Sequence, residues 1–313
     1  MRGEFEFIED IRRMFPSPQG MTGIGDDCAV IAQNGGMETL VSTDMLIEGT
    51  HFLMDDIPPY NLGWKAAAAS FSDIAAMGGT PTGSFLAIAL PRNLSSEWGE
   101  EFLRGYREIS FSYGFPLLGG DTCASQGPVS VCVTVLGSAP KGKSRKRNEA
   151  IPGDLVCVTG TQGDSAAGLE VILKGLPRNE NELRLIDRHY LPRPRIAEGT
   201  ALAQTDGVHA MMDISDGIGS DIRHILKESG VGAEIDLGSI PLSESLQQFC
   251  NTYHLDPYDF AVSGGEDYEL LFTVAPEAEP LLEVPHSVIG RITTATVLIW
   301  KGSDRDWNGY RHF

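Results

Sequence analysis

Carboxylates recur in this chain beside glycine and small hydroxyl residues, at the ends of apolar runs, in five well-separated places. The segments are Gly23-Ile-Gly-Asp-Asp27, Ser42-Thr-Asp44, Ser72-Asp73, Gly119-Gly-Asp121 and Asp213-Ile-Ser-Asp-Gly217. Glycine permits the tight turns that present such side chains at a strand edge. Acids converging from distant segments repel one another unless cations lie between them. The pattern therefore asks for metal. Carboxylate and hydroxyl oxygens suit Mg²⁺, which takes few protein ligands and keeps several waters and substrate phosphates. Phosphoryl chemistry is the first reading; an Asx-type turn explains any one segment alone but not all five. Asp73 strengthens it, because the residues around it carry helical periodicity and aspartate is a poor helix former. For the last segment the alternative stays open, since Ser215 or Asp216 serves equally well as an N-cap for the helix that follows.

A chain of 313 residues with 42% apolar content suits one large or two medium domains with a packed core. The net charge of −19, from 43 acids against 24 basic residues, argues against a general nucleic-acid surface. Cys28, Cys123, Cys132, Cys157 and Cys250 are odd in number and form no C-x-x-C pair, so they read as reduced, buried thiols of a cytoplasmic protein. Acids interrupt the apolar residues of Met1–Asp10, unlike the core of a signal peptide, and no run is long enough to cross a bilayer.

Periodicity predicts helices over 4–15, 60–77, 96–112, 164–174, 183–189, 195–204, 218–229 and 243–254, with Ser95 or Ser96 capping the third. Strand-like runs fall at 29–32, 40–42, 85–90, 129–137, 155–159 and 270–274. The fold class is α/β (α+β). The composition shifts most sharply at Lys141-Gly-Lys-Ser-Arg-Lys-Arg147, which sets expected domains at 1–147 and 148–313. Gly137-Ser-Ala-Pro-Lys-Gly-Lys-Ser144 matches the G-x-x-x-x-G-K-[ST] pattern of a phosphate-binding loop. Such a loop must open into a helix, whereas Arg145–Glu149 and then Pro152-Gly153 leave no room for one. The match reads as chance, and the basic run is either a solvated connector or a contact to a nucleotide phosphate. His51, close in sequence to Asp44, is a candidate to touch substrate.

The ordered set, completed by Gly49-Thr-His-Phe52, Val158-Thr-Gly-Thr161, Gly163-Asp-Ser-Ala-Ala-Gly168 and Ser263-Gly-Gly-Glu-Asp-Tyr-Glu-Leu270, resembles the thiamine-monophosphate kinases. The resemblance implies the ATP-binding superfamily shared with aminoimidazole ribonucleotide synthetase, and ATP-dependent conversion of thiamine monophosphate to thiamine diphosphate. It implies a two-domain fold whose N-terminal sheet pairs across a homodimer. It makes Asp27, Ser42, Thr43, Asp44, Asp73, Asp121, Asp213 and Asp216 ligands of several Mg²⁺ ions. Gly120, Asp121, Arg147, Ser215 and Tyr113 would meet ATP, and His51, Glu266 and Trp307, in Asp306-Trp-Asn-Gly-Tyr310, would hold the thiamine substrate. No general base or covalent nucleophile is expected, since a phosphate monoester near neutral pH is already largely dianionic. The rivals are a sister synthetase of the aminoimidazole ribonucleotide type and a non-catalytic divalent-metal-binding protein. A selenophosphate synthetase is disfavoured by the lack of cysteine in the first twenty residues, and the hydrogenase maturation factor by the cysteine-free tail Tyr310-Arg-His-Phe313.

Overall fold

The computed structural model describes residues 3–33, 35–305, 307 and 309, so most of the Asp306–Phe313 tail lies outside the described residues. Its first half runs α1 (Glu4–Met14), β1 (Met21–Thr22), β2 (Ala29–Ala32), β3 (Met37–Ile47), α2 (Pro59–Ala76), β4 (Thr80–Pro91), α3 (Ser96–Ser112), β5 (Leu117–Ser125) and β6 (Ser130–Pro140). A 3₁₀ turn at Arg147–Glu149 leads to β7 (Leu155–Val158), α4 (Asp164–Leu173), α5 (Glu180–Tyr190), α6 (Ile196–Gln204), β8 (Val208–Asp213) and α7 (Ile218–Ser229). Then come β9 (Gly232–Asp236), α8 (Glu244–Tyr253), α9 (Pro257–Ser263), β10 (Leu270–Val274), β11 (Ser287–Thr293) and β12 (Leu298–Lys301). Two six-stranded sheets result, ordered β1-β2-β3-β6-β4-β5 and β12-β9-β11-β7-β10-β8. All pairings are antiparallel except β4–β5 and β9–β12.

Burial follows the side-chain pattern. Strand β6 alternates, with Val131, Val133 and Val135 turned to the core and their neighbours half-buried, as a sheet covered mainly on one face requires. Strand β10 is buried at all five positions, so its sheet is covered on both faces there. Helix α2 opens with Pro59 in its first turn and is apolar nearly all round, the signature of a helix with core on every side. It packs on α3, β3 and β6 of the first half and on α5, α6 and β8 of the second.

The α2–α3 crossing depends on two glycines. A β-carbon on Gly63 would stand 1.9 Å from Phe102 O, and one on Gly105 would stand 1.8 Å from Tyr60 O. Each helix is thus the other's reason for lacking a side chain. On the opposite flank, a β-carbon on Gly199 of α6 would meet Ala75 O at 2.1 Å. Helix α2 is therefore gripped by backbone on both sides.

The structure extends several anticipated strands, carries the short apolar run before Gly119 through Gly120 and Asp121 as β5, and adds β1, β8, β9, β11, β12 and α9. Strand β5 carries Gly119, Gly120 and Asp121, residues that score against a strand but are tolerated at a sheet edge. Cys28, Cys157 and Cys250 are buried as anticipated, but Cys123 is exposed on β5 and Cys132 half-exposed on β6, which corrects the expectation for those two thiols; all five are free. The segment matching a phosphate-binding loop leaves β6 through a turn and reaches only the three-residue 3₁₀ turn, so no helix opens there to receive a phosphate. Among the described residues no helix is long and apolar enough to cross a membrane. The connector between the two sheets runs from the end of β6 at Pro140 to the start of β7 at Leu155.

Gly105→Ala should destabilise the protein by roughly 1–3 kcal/mol, because the added methyl overpacks a backbone contact. Gly99→Ala, in the same helix but with nothing within 4 Å of its β-carbon position, should stabilise by up to about 1 kcal/mol. Denaturant melts of both variants check the pair, and matching signs would refute the contact.

Candidate active site

Three carboxylates from distant parts of the chain meet. Asp27 follows Gly25, whose φ of +133° suits glycine; Asp73 projects from α2; Asp213 ends β8. One oxygen from each lies within 4.8 Å of the others. Ser72 Oγ donates to Asp213 Oδ2 at 2.6 Å, and Ser42 Oγ donates to Asp73 Oδ2. Asp44 on β3 adds a fourth charge, and its neighbour Thr43 shares a hydrogen bond of 3.0 Å with Thr134 of β6. Arg147 closes the cluster: its guanidinium pairs with Asp27, and its backbone N–H donates to Asp26 Oδ1 at 2.8 Å.

Burial and mutual repulsion dominate the electrostatics. Burial first, then Asp44, Asp213 and Asp27, hold the Asp73 carboxyl well above the usual carboxylate range. Asp213 is pushed up to about 7 by burial and then by Asp27, and burial also raises Asp44. Burial alone would weaken the hold of Arg147 on its proton, but Asp27 more than offsets it and the guanidinium stays charged. Asp27 Oδ2 and Asp44 Oδ2 are buried and accept no hydrogen bond from the described residues. A protein does not ordinarily leave such oxygens unsatisfied. Crowded carboxylates, hydroxyls beside them and unsatisfied oxygens fit a hard divalent cation.

A cavity of about 710 Å³ opens from Asp44 and Thr43 past His51, Ser215 and Asp216 to Glu266. His51 Nδ1 accepts from Ile47 N–H at 3.0 Å, so Nε2 is the ring's donor in the neutral form. The loop bearing Glu266 has backbone strain, with φ of +65° at Glu266 and +51° at Tyr268. It is held against the Asp213–Gly217 segment by Glu266 N–H donating to Ser215 O at 2.8 Å and Tyr268 N–H to Ile214 O at 3.0 Å. Gly265 has no room for a β-carbon, which would lie 2.2 Å from Ser215 O. Next to it, Asp267 accepts from the Gly163 and Ser165 amides at 2.6 and 3.1 Å, filling the amino end of α4.

The open question about Ser215 and Asp216 resolves against capping. Gly217 occupies the N-cap of α7 and no side chain caps it. Both backbone amides instead donate to Asp221 Oδ2, at 3.1 and 3.2 Å, which keeps their side chains beside the cavity. The sequence pattern did not mark Asp221, Lys65 or His189. A lysine among the alanines of 66–69 was the one available signal, since a helix apolar on every side offers it no solvent.

Not every anticipated residue joins the site. Gly120 and Asp121 lie on the edge strand β5, three interstrand steps or about 14 Å along the sheet from Asp44. Tyr113 ends α3 and donates its hydroxyl to Pro194 O at 3.1 Å. Trp307 is 4% exposed, stacked edge-to-face on Trp300 in the core of the second sheet, with Nε1 donating to Asp259 at 3.3 Å. Its flanking Asp306, Asn308 and Tyr310 lie outside the described residues.

Residues 25–139 match the N-terminal domain of AIR synthase related proteins, and residues 152–301 match the C-terminal domain. A thiamine-monophosphate kinase of Salmonella typhimurium is 41% identical over 310 residues, covering 93% of this chain and 92% of that protein. The chain is a member of the thiamine-monophosphate kinase family. Another such kinase, from Aquifex aeolicus, is 36% identical over 99% of this chain and 98% of its own. The structure of AaThiL complexed with AMPPCP and TMP superposes with a TM-score of 0.92 at 34% identity, covering 99% of this chain and 97% of that one. The hydrogenase maturation protein HypE, in its complex with HypF, shares the fold at a TM-score of 0.76 and 18% identity. Family membership makes the chain an enzyme, a phosphotransferase that uses ATP, and its fold the two-domain α/β fold anticipated.

The raised carboxyls set a pH dependence. Their folded-state values exceed the unfolded ones, so the metal-free folded state binds more protons and loses stability as pH rises from about 4 through 7. Asp73→Asn removes the most strained of these charges. At pH 8 without metal it should raise the melting temperature, and Mg²⁺, expected to raise that of the parent further, should give the variant no such rise. Calorimetry with and without Mg²⁺ checks this; a variant still stabilised by Mg²⁺ would remove Asp73 from the cation site.

Proposed function

We propose that the protein transfers the γ-phosphoryl group of ATP directly to thiamine monophosphate, giving thiamine diphosphate and ADP. The observation that carries this is the carboxylate cluster with unsatisfied oxygens, opening on a cavity that ends at an ionised glutamate. The names of the related kinases and the AMPPCP and TMP bound in one of them support it. Asp27, Ser42, Thr43, Asp44, Asp73 and Asp213 would hold Mg²⁺, with Asp216 at the cavity edge and Asp121 from the outer strand. Bound there, Mg²⁺ supplies neutralisation of the charge on two polyanionic phosphates.

The chain's own residues do the rest. Arg147, fixed by Asp27, and Ser215, fixed through Asp221, would meet the phosphates of ATP, with Gly120 and Asp121 joining them. His51 would donate from Nε2 to the substrate. Glu266 faces the cationic thiazolium. Alignment for in-line attack, rather than proton abstraction, is the catalytic requirement, because the acceptor is already an anion. The cavity's own rings, Phe52, Tyr190 and Tyr268, are better placed than Trp307 to pack on the substrate, since Trp307 would have to leave its core. We also propose a cytoplasmic homodimer paired through the first sheet, which the exposed Leu117 and Leu118 on edge strand β5 support.

Incubation with ATP, Mg²⁺ and thiamine monophosphate should yield thiamine diphosphate, with no labelled phosphoenzyme on the path. Asp44→Ala should lower kcat by about a thousandfold, the scale for losing one charge-stabilising element of a reacting site. Asp121→Ala should also lose activity. Product from the amidine substrate of the sister synthetase, and none from thiamine monophosphate, would reassign the reaction.

A further inference from the structure

Lys65 is a charged residue with no exposure to solvent, set in the middle of α2 among Ala66, Ala67, Ala68 and Ala69. A buried ammonium is costly unless it is paired. Its Nζ donates to Glu266 Oε2 at 3.0 Å and lies 3.2 Å from His189 Nε2. His189 Nδ1 in turn meets Ser165 Oγ at 3.0 Å and lies 3.4 Å from Glu266 Oε2. Burial first, then Lys65, push the imidazole down to about 3, so it is neutral, and Lys65 makes the ion pair with Glu266. The side chain of Glu266 is 25% exposed, and that part opens into the cavity.

Glu266 on its own would be a poor fixed anion. It sits on a loop with left-handed backbone at φ +65°, and burial favours its neutral form. Lys65 opposes both tendencies. It anchors one carboxylate oxygen to a helix that is itself clamped by Gly63 and Gly199, and it favours the ionised state.

We infer that Lys65 is a positioning residue that holds the Glu266 carboxylate ionised and aimed into the cavity, so that a cationic substrate ring is bound there. The inference rests on the reading of the reaction given above. Lys65 touches neither substrate nor the reacting phosphates; it acts through Glu266. The pair spans the two halves of the molecule and has a fixed direction, ammonium behind and carboxylate in front.

Steady-state kinetics on purified full-length protein test it with Lys65→Met, Lys65→Gln, Glu266→Gln and the double variant Lys65→Met/Glu266→Gln. The Lys65 and Glu266 single variants should each raise KM for thiamine monophosphate by about tenfold or more, the scale for breaking a buried hydrogen-bonded charge pair. For the Lys65 variants, kcat and KM for ATP should stay near those of the parent. The double variant, which leaves no charge unpaired, should be no worse than Glu266→Gln. A Lys65 variant with unchanged KM for thiamine monophosphate overturns the inference, as does one that loses kcat alone. If neither single Lys65 variant folds, a double variant markedly weaker for substrate than Glu266→Gln overturns it, because Lys65 would then act elsewhere. A parent protein that makes no thiamine diphosphate refutes the reaction instead, and that result is distinct from all of these.

Discussion

Repulsion among carboxylates confined out of water is the constraint around which this molecule is organised. Asp27, Asp73, Asp213 and Asp44 are drawn together by elements that gain from packing elsewhere, and the cost appears at Asp73, Asp213 and Asp44, whose carboxyls hold their protons above the ordinary range. Hydroxyls from Ser42 and Ser72 and the guanidinium of Arg147 offset part of it. The remainder is free energy that a divalent cation can recover. A site of this kind is weakest when empty.

Helix α2 is how the fold sustains that arrangement. It carries Ser72 and Asp73 toward the cluster and Lys65 toward the substrate cavity, two turns apart on one rigid element. Glycines on α3 and α6 let neighbouring backbone close on it from both flanks. Charges that would otherwise push it away are thus opposed by close-packed main chain, which is stiff on the scale of a few tenths of an ångström.

The cluster was legible because its residues pair an unusual side chain with a recognisable local shape. Asp27 follows a glycine turn, Asp44 lies in an apolar strand, and Asp73 stands in a helix where aspartate does not belong. Periodicity placed Ser96–Ser112, Ile218–Ser229 and Leu270–Val274 to the residue, because each has a single covered face or is covered throughout. Strands β8 and β9 were not legible, since His209 and Glu234 interrupt their apolar pattern and tertiary pairing decides them; β5 was legible only up to Gly119. Lys65 and Asp221 escaped notice for a different reason. Each acts on a partner more than four residues away, Glu266 or the Ser215–Asp216 amides, and such pairing is invisible without the fold. Trp307 shows that aromatic character alone does not say which cavity a ring faces: the ring packs edge-to-face on Trp300.

The carboxylate of Asp267 at the head of α4 has one more consequence. An uncapped helix start inside an enzyme of polyphosphates is a ready trap for stray anions. Here the chain supplies its own anion, tied to the Gly163 and Ser165 amides and shut away from solvent. The amides at that helix start are thus already satisfied, and a phosphate group entering the neighbouring cavity does not find them open.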